Sequence, residues 1–401
     1  MGAAGTRETS SMIGSSTSTS TGSSSGVRIL DIINLSSSAD SLLRNRVLAM
    51  RARGMDNRIM CMWGPYVKTL NEQGIPTCGV GLPRAVNPFR MVAAVFEMAA
   101  YMRRERVEIV HTHCPMPGIL GRIAGFLAGV PIIMHTIHGY DLPDRSSRLL
   151  TFLYTLAERL CSRFTSMLLS QNRADMETVG VLQLIPPERL RLIGNGIDLR
   201  RFHPVARTPD PRAPVSILCT ARFEAVKNHP MLFAAIRKVK ESGRQVRLWL
   251  VGTGDLRAEY ERRCAEMHIA DVVEFLGYSD DMPELLARTD IAVLTSVTEG
   301  IPRAMLEAMA MRVPVVATRV VGTEETVVDG ETGFLVPLDD VDALADRLIR
   351  LIDDFALRER MGARGRAWVE SEFDEDKIVG ALATIYSELM AKKNRVPGAH
   401  P

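Results

Sequence analysis

The sequence predicts an α/β chain of two doubly wound units, each a parallel sheet covered on both faces by helices, meeting across a cleft. Three observations carry this expectation. Apolar runs of strand length alternate with amphipathic runs of helix length from Val27 onward. The alternation restarts at Val215, after the junction Gly194-Asn-Gly-Ile-Asp198 and a Pro-containing stretch over 204–214. The length of 401 residues accommodates two or three domains at about 150 residues each.

The elements follow in order. Val27 to Asn34 is a buried-strand run. Ser41 to Gly54 reads as a helix with apolar positions at Leu42, Leu43, Val47, Leu48 and Met50, and Gly54 as its stop. Arg58 to Trp63 is a second strand, Phe89 to Arg106 a long helix and Val107 to His111 a short strand. Pro117 to Gly129 is helical, Pro131 to His135 a strand, Leu149 to Arg163 a helix and Ser166 to Ser170 a strand. In the second half the strands are Val215–Thr220, Arg247–Val251, Val272–Leu276, Ile291–Thr295 and Val313–Ala317. The helices between them are His229–Ser242, Leu256–Met267, Met282–Ala287 and Arg303–Met311. Phe373 to Met390 is a last helix expected to cross back to the first half. The divisions are thus a tail over 1–26, a first domain over 27–194, a second over 195–372 and a tail over 391–401.

Composition narrows the function classes. Lys and Arg total 49 against 47 Asp and Glu, and charged residues make up 24% of the chain. That balance excludes a disordered polyelectrolyte and argues against a nucleic-acid binder. Residues 27–194 hold 20 basic and 13 acidic side chains (+7), and 195–401 hold 28 and 33 (−5). The offset reads either as two units with different partners or as drift on solvated surfaces. Six scattered cysteines form no CxxC pair, as in a reducing compartment. The start lacks the apolar core of a secretory signal. The longest nearly uncharged runs are about 12 residues, short of the roughly 20 a spanning helix needs. The expectation is a cytoplasmic protein, soluble or peripheral. From Thr9 to Ser25, 13 of 17 residues are Ser or Thr, a stretch that cannot bury apolar area and is expected to be disordered.

Two segments carry chemistry. In Thr298-Glu299-Gly-Ile-Pro-Arg-Ala-Met-Leu-Glu307, two carboxylates stand eight residues apart around a helix start. Pro302 suits the first turn, and the backbone N–H groups around Gly300, Ile301, Pro302 and Arg303 would face an anion or a polyol. Glu299 alone could be an ordinary carboxylate complementing the helix dipole. Glu307, however, sits in an otherwise apolar stretch. In Thr220-Ala-Arg222-Phe-Glu-Ala-Val-Lys227, a cation pair follows a strand. It fits a diphosphate, with Arg222 as a fork and Lys227 as a point charge. His138 reads as a sugar contact, a structural hydrogen-bonder or half of a His135-x-x-His138 metal pair with no third ligand in view. His111 and His113 either face the cleft or close the core edge. No GxGxxG follows the first strand, against a dehydrogenase.

Together these segments resemble the retaining glycosyltransferases of GT-B architecture, in particular family 4, whose halves are Rossmann-like domains. The resemblance covers about 27–390. It rests on Glu299-x7-Glu307, the Arg222/Lys227 loop, Val321-Gly-Thr-Glu-Glu-Thr-Val-Val-Asp-Gly-Glu-Thr-Gly333, His111-Thr-His113, His135-Thr-Ile-His138-Gly139 and Asn195-Gly-Ile-Asp198. It implies transfer of a hexose or N-acetylhexosamine from a nucleotide-diphosphate sugar, with UDP the expected nucleotide, to a hydroxyl acceptor. That acceptor is expected to be a lipid-linked or cell-surface polysaccharide intermediate. Arg222 and Lys227 would hold the diphosphate and stabilise the leaving phosphate without a metal. Glu307 would take the ribose and Glu299 a sugar hydroxyl. His138 would lie near the donor sugar, Tyr278 beside the base, and Gly252 would permit close packing there. His113, Ser36 and Asn195 would lie on the acceptor side. No cofactor is expected. Arg103, Arg104 and Arg106 at one helix end suit an anionic membrane surface on the inner face of the plasma membrane. A nucleotide-sugar epimerase, or a nucleotide-sugar-binding protein that transfers nothing, remains the alternative. The sequence departs from the family at Asn34-Leu-Ser-Ser, where a Gly-Gly pair is frequent, and at Ala221, which replaces a usual Gly.

Overall fold

The computed structural model describes residues 26–82, 87–139, 148–205 and 212–395. The expected Ser/Thr-rich tail, residues 396–401 and most of the Pro-containing stretch lie outside them.

The first half contains β1 (Arg28–Ile32), α1 (Ser36–Ser38), α2 (Arg44–Ala52), β2 (Asp56–Met62), α3 (Tyr66–Glu72), β3 (Thr77–Val80), α4 (Pro88–Arg104), β4 (Ile109–His113), α5 (Pro115–Ala128), β5 (Ile132–Ile137), α6 (Arg148–Ser162), β6 (Met167–Ser170), α7 (Arg173–Val181) and β7 (Leu190–Leu192). The second half contains β8 (Val215–Thr220), α8 (His229–Glu241), β9 (Val246–Val251), α9 (Arg257–Glu266), β10 (Val273–Gly277), α10 (Met282–Ala287), β11 (Ile291–Leu294), α11 (Arg303–Ala310), β12 (Val315–Thr318), α12 (Val321–Thr326), β13 (Gly333–Val336), α13 (Val341–Asp353), α14 (Phe355–Glu372) and α15 (Glu375–Asn394). The strands form a seven-stranded sheet, β3-β2-β1-β4-β5-β6-β7, and a six-stranded sheet, β10-β9-β8-β11-β12-β13. All the ladders within the two sheets are parallel. The order reverses between β1 and β4 and between β8 and β11, the switch points where ligands of doubly wound sheets bind.

β4 and β5 run farther than expected, through His113 and Ile137. Their polar residues do not end the strands because neighbouring side chains satisfy them in the core. The expected first helix is instead interrupted by a wide π turn over Ala39–Leu43. The last helix starts two residues later than expected. Phe373 stays in the second core, and the Asp374 carboxylate accepts from the Asp376 N–H at 3.0 Å to begin α15. From there α15 runs over the first sheet. Val379, Leu382, Ile385 and Tyr386 pack with Ile29, Ile109, Met134 and Leu169. Each such buried aliphatic side chain contributes about 1.5–3 kcal/mol. α15 also continues to Asn394, into the stretch expected as a tail.

The two chain crossings are stitched together. Ile197 N–H donates to the Phe373 carbonyl at 2.8 Å, and Glu375 N–H to the Ile197 carbonyl at 3.1 Å. Gly196 must lack a side chain here, since a Cβ would lie 2.6 Å from Glu375 Cα.

Candidate functional site

The donor-side loops converge at the second switch point. Lys227 ends a short 3-10 turn, and Asn228, with φ of +47°, turns the chain into α8. The Thr295 hydroxyl at the end of β11 donates to the carbonyls of Lys227 and Asn228, at 3.1 and 3.0 Å, tying the two loops. Lys227 Nζ then lies 2.6 Å from Glu299 Oε1, which also accepts from the Ser296 hydroxyl at 2.5 Å. Arg222 is exposed beside them, paired with Glu224 at 2.6 Å. Gly252, with φ of +150°, lets the loop after β9 pack on this one: a Cβ would fall 2.1 Å from the Ala221 carbonyl.

Glu299 and Gly300 are wedged between the domains. A Cβ on Gly300 would stand 2.4 Å from the His138 carbonyl, and Gly322 in α12 closes on the Gly300 carbonyl from behind. Pro302 is the residue before α11 rather than part of its first turn. Ile301 is buried in the second core, and its carbonyl accepts from Asn195 Nδ2 at 3.3 Å. Asn195, expected on the acceptor side, thus ties the two domains together and also lines the cavity between them. Arg303 likewise turns to the crossing, donating to the Gly196 carbonyl at 3.2 Å. It stands 3.9 Å from Glu307. Burial raises the Glu307 carboxyl above its ordinary value, opposed by Arg303 and Arg201. Tyr278 is largely exposed and reaches across to the Tyr66 hydroxyl of the first domain.

The first domain contributes a buried relay. Asp31, fully buried in β1, accepts from Arg46 Nη2 at 2.7 Å and from Asn57 Nδ2 at 3.1 Å, and lies 3.1 Å from His113 Nε2. His113 Nδ1 lies 2.9 Å from His138 Nε2. With Nε2–H given to Asp31, His113 accepts from His138; with Nε2 accepting from Arg46, at 2.9 Å, the direction reverses. His113, expected on the acceptor side, is thus a buried support beneath His138. Ser36, also expected on the acceptor side, is buried and packed beneath Gly64. Burial, reinforced by Arg46, pushes His138 down to about 3, so its imidazole is neutral. A small interdomain cavity lined by Arg46, His138, Gln171, Asn195, Arg303 and Glu375 lies beside it.

Metal chemistry has one candidate among the described residues, Asp31, His111 and His113. Those atoms are already engaged. His111 bonds Tyr386 Oη at 2.7 Å and the Thr136 hydroxyl at 2.6 Å, and the Arg46 guanidinium occupies the approach to Asp31. His135 is bonded to Thr112 instead of pairing with His138, because residues three apart on a strand face opposite sides.

Sequence reasoning missed Asp31, Arg46 and Glu325. Asp31 had a visible signal: a carboxylate inside an apolar strand run needs a buried partner. Glu325 of α12 accepts from the backbone N–H groups of Arg173 and Ala174, at 2.8 and 3.0 Å, latching the second domain onto the first turn of α7.

Comparison with known proteins agrees with this geometry. Residues 43–196 match the family described as glycosyl transferase 4-like domain, and residues 214–354 the family described as glycosyl transferases group 1. The N-acetyl-alpha-D-glucosaminyl L-malate synthase of Bacillus anthracis is 30% identical over 312 residues, 75% of this chain and 79% of that protein. The UDP-Gal:alpha-D-GlcNAc-diphosphoundecaprenol alpha-1,3-galactosyltransferase of Escherichia coli is 27% identical over 326 residues, 78% of this chain and 83% of that protein. Among solved structures, Anabaena Alr3699/HepE in complex with UDP and glucose superposes with a TM-score of 0.77 at 20% identity, over 90% of this chain and 99% of that one, which establishes the shared GT-B fold. With two matched domains, facing sheets and a cleft at both switch points, the chain belongs to the group 1 glycosyltransferases.

Proposed function

We propose that this glycosyltransferase moves a hexose or N-acetylhexosamine from a UDP-sugar to a hydroxyl of a lipid-linked or cell-surface polysaccharide intermediate, with retention at the anomeric carbon. The observation that carries the reading is the Lys227–Glu299 pair, held at the second switch point next to Gly300, which abuts the His138 carbonyl of the first domain. The diphosphate takes Arg222 and Lys227. Their charge stabilises the leaving oxygen, so that role needs no metal or other cofactor. Glu299, released from Lys227, accepts from a donor-sugar hydroxyl, and Glu307 accepts from the ribose. The bond from the anomeric carbon to the diphosphate oxygen breaks as the acceptor oxygen attacks from the same face, and the acceptor proton passes to the leaving phosphate. Neutral His138 contacts the sugar, while the Tyr278 ring, exposed at the cleft, stacks on the base. The names of the E. coli and B. anthracis relatives support a glycosyl donor, and the first of them supports a UDP-sugar and a diphosphoundecaprenol-linked acceptor. Such an acceptor places the protein at the inner face of the plasma membrane. We infer peripheral attachment there; no helix among the described residues is long and apolar enough to cross a membrane.

Product analysis tests this. UDP-hexoses and UDP-N-acetylhexosamines are incubated with a prenyl-diphosphate-linked sugar, and the glycolipid and nucleotide are resolved. The expected result is one new glycosidic bond of retained configuration per UDP released. Epimerised donor without transfer, or an inverted linkage, contradicts it.

A further inference from the structure

At the basic helix end expected to meet a membrane, Arg104 pairs with Glu105 and Arg103 donates to the Leu127 carbonyl, both at the protein surface. An exposed apolar surface among the described residues lies on α6. Leu149, Phe152, Leu153, Leu156 and Leu160 recur at three- and four-residue steps, so they form one stripe. All five are 42–66% exposed, where a helix packed in a core would bury them. Phe126 and Leu127 of the neighbouring α5 are exposed as well. Arg159 and Arg163 follow the stripe on its flank. The acid of α6, Glu158, is turned inward and buried against Arg122 at 2.6 Å.

A groove of about 730 Å³ opens beside the end of this helix, lined by Arg159, Arg163, Gln183 and Arg189. Arg159 and Arg189 donate to the carbonyls of Leu182 and Thr165, at 3.1 and 3.0 Å, which fixes the guanidinium groups without neutralising them. Arg163 has no ion pair among the described residues. Glu188 is an exposed acid beside the rim.

We propose that α6 and this groove are a membrane-docking face. The stripe lies in the plane of an anionic bilayer, and Arg159, Arg163 and Arg189 take lipid headgroup phosphates. Long basic side chains flanking an exposed apolar face are the composition of an interfacial helix. A second copy of the chain fits less well, because two α6 stripes packed symmetrically would bring the arginines against apolar ends with no carboxylate from either helix. α6 begins at the cleft side of the first sheet, ten residues after His138, so a membrane along it presents a lipid-linked hydroxyl to the cleft. The proposal deepens the membrane-borne acceptor reading and rests on it only for that last step.

Vesicle cosedimentation, with neither donor nor acceptor present, tests the face separately from the chemistry. Wild type, the double variant Phe152→Asp/Leu156→Asp and the single variant Arg163→Glu are compared on phosphatidylcholine vesicles with and without phosphatidylglycerol. Cooperative melting and molar mass in solution are checked for each. Wild type should bind the anionic vesicles and release with salt. The double variant should lose about tenfold or more of that binding while melting cooperatively, and Arg163→Glu should lose the preference for phosphatidylglycerol. Absence of wild-type binding at low salt overturns the proposal, as does binding undiminished in the double variant. So does a wild-type dimer that the double variant splits while vesicles bind neither.

Discussion

Lys227 Nζ and Glu299 Oε1 lie 2.6 Å apart, joining the loops that follow β8 and β11. Both side chains are mostly shielded, at 17% and 12% exposure, so each charge depends on the other. In the proposed reaction a bound diphosphate takes Lys227 from this contact and frees the carboxylate for a hydroxyl donor.

Lys227→Ala should therefore lower turnover by roughly 10²–10³-fold and cost about 2 kcal/mol of stability by leaving Glu299 short of its partner. Steady-state kinetics and denaturant unfolding measure the two effects. A double-mutant cycle with Glu299→Ala should show strong coupling in both; additive losses would mean that the pair does not act as a unit.

His113 lies 2.9 Å from His138 and, on the proposed reading, orients it. His113→Ala should lower kcat about tenfold or more, with little change in donor KM, because the ring it positions loses its orientation. His113→Asn keeps a polar group near Nδ1 and should recover part of the loss. Equal activity in the two variants would reduce His113 to a filler of the core.

Acid should destabilise the fold. Burial pushes His138 to about 3 and His229 to about 4, and holds His111, His113 and His135 well below their ordinary value. Below about pH 6.5 the unfolded chain takes up these protons while the folded protein refuses them. The stabilisation is therefore complete above about 6.5 and lost as pH falls toward the folded values, at up to about 1.4 kcal/mol per pH unit per histidine. Melting temperature should fall steeply from about pH 7 to 5. Both ring nitrogens of His229 lack a partner among Phe223, Phe233 and Tyr260. His229→Phe should accordingly flatten the slope. A pH-independent melting temperature would refute the assignment.

Closure depends on a missing side chain. Gly300→Ala places a Cβ against the His138 carbonyl, 2.4 Å away, and should hold the domains apart. Since a misplacement of about 1 Å costs on the order of 10²-fold in rate, kcat/KM should fall by about that factor while melting changes little. Glu325→Gln weakens the latch on α7 and should raise the radius of gyration in solution scattering. Normal kinetics in Gly300→Ala would show that the packed arrangement is not the working one.

Much of this was legible in the sequence, because parallel strands buried on both faces read as apolar runs and because Glu299, Glu307, Arg222 and Lys227 stand out against their surroundings. The short elements β3, α3, α7, β7, α12 and β13 carry too little periodicity to be found, and neither α13 nor α14 is assigned from the sequence although both are long. The relay was hidden for a different reason. Asp31, Arg46, His113 and Tyr386 come from β1, α2, β4 and α15, and only the switch point and the crossing helix bring them together. Asn195 and Arg303 lie close to the cleft in sequence order, yet the domain crossing takes their donors.

The proposed function requires Arg222, Lys227, Glu299 and Glu307 to hold a nucleotide-diphosphate sugar. Thermal unfolding with a panel of UDP-, GDP- and ADP-sugars addresses it directly, since a ligand bound only to the folded state at about 100 times its Kd adds about 2.7 kcal/mol. A UDP-sugar should raise the melting temperature of wild type by several degrees (about 2–4 °C per kcal/mol at this chain size), and Lys227→Ala should abolish the shift. No stabilisation by any nucleotide sugar, or an equal shift in Lys227→Ala, would contradict the account.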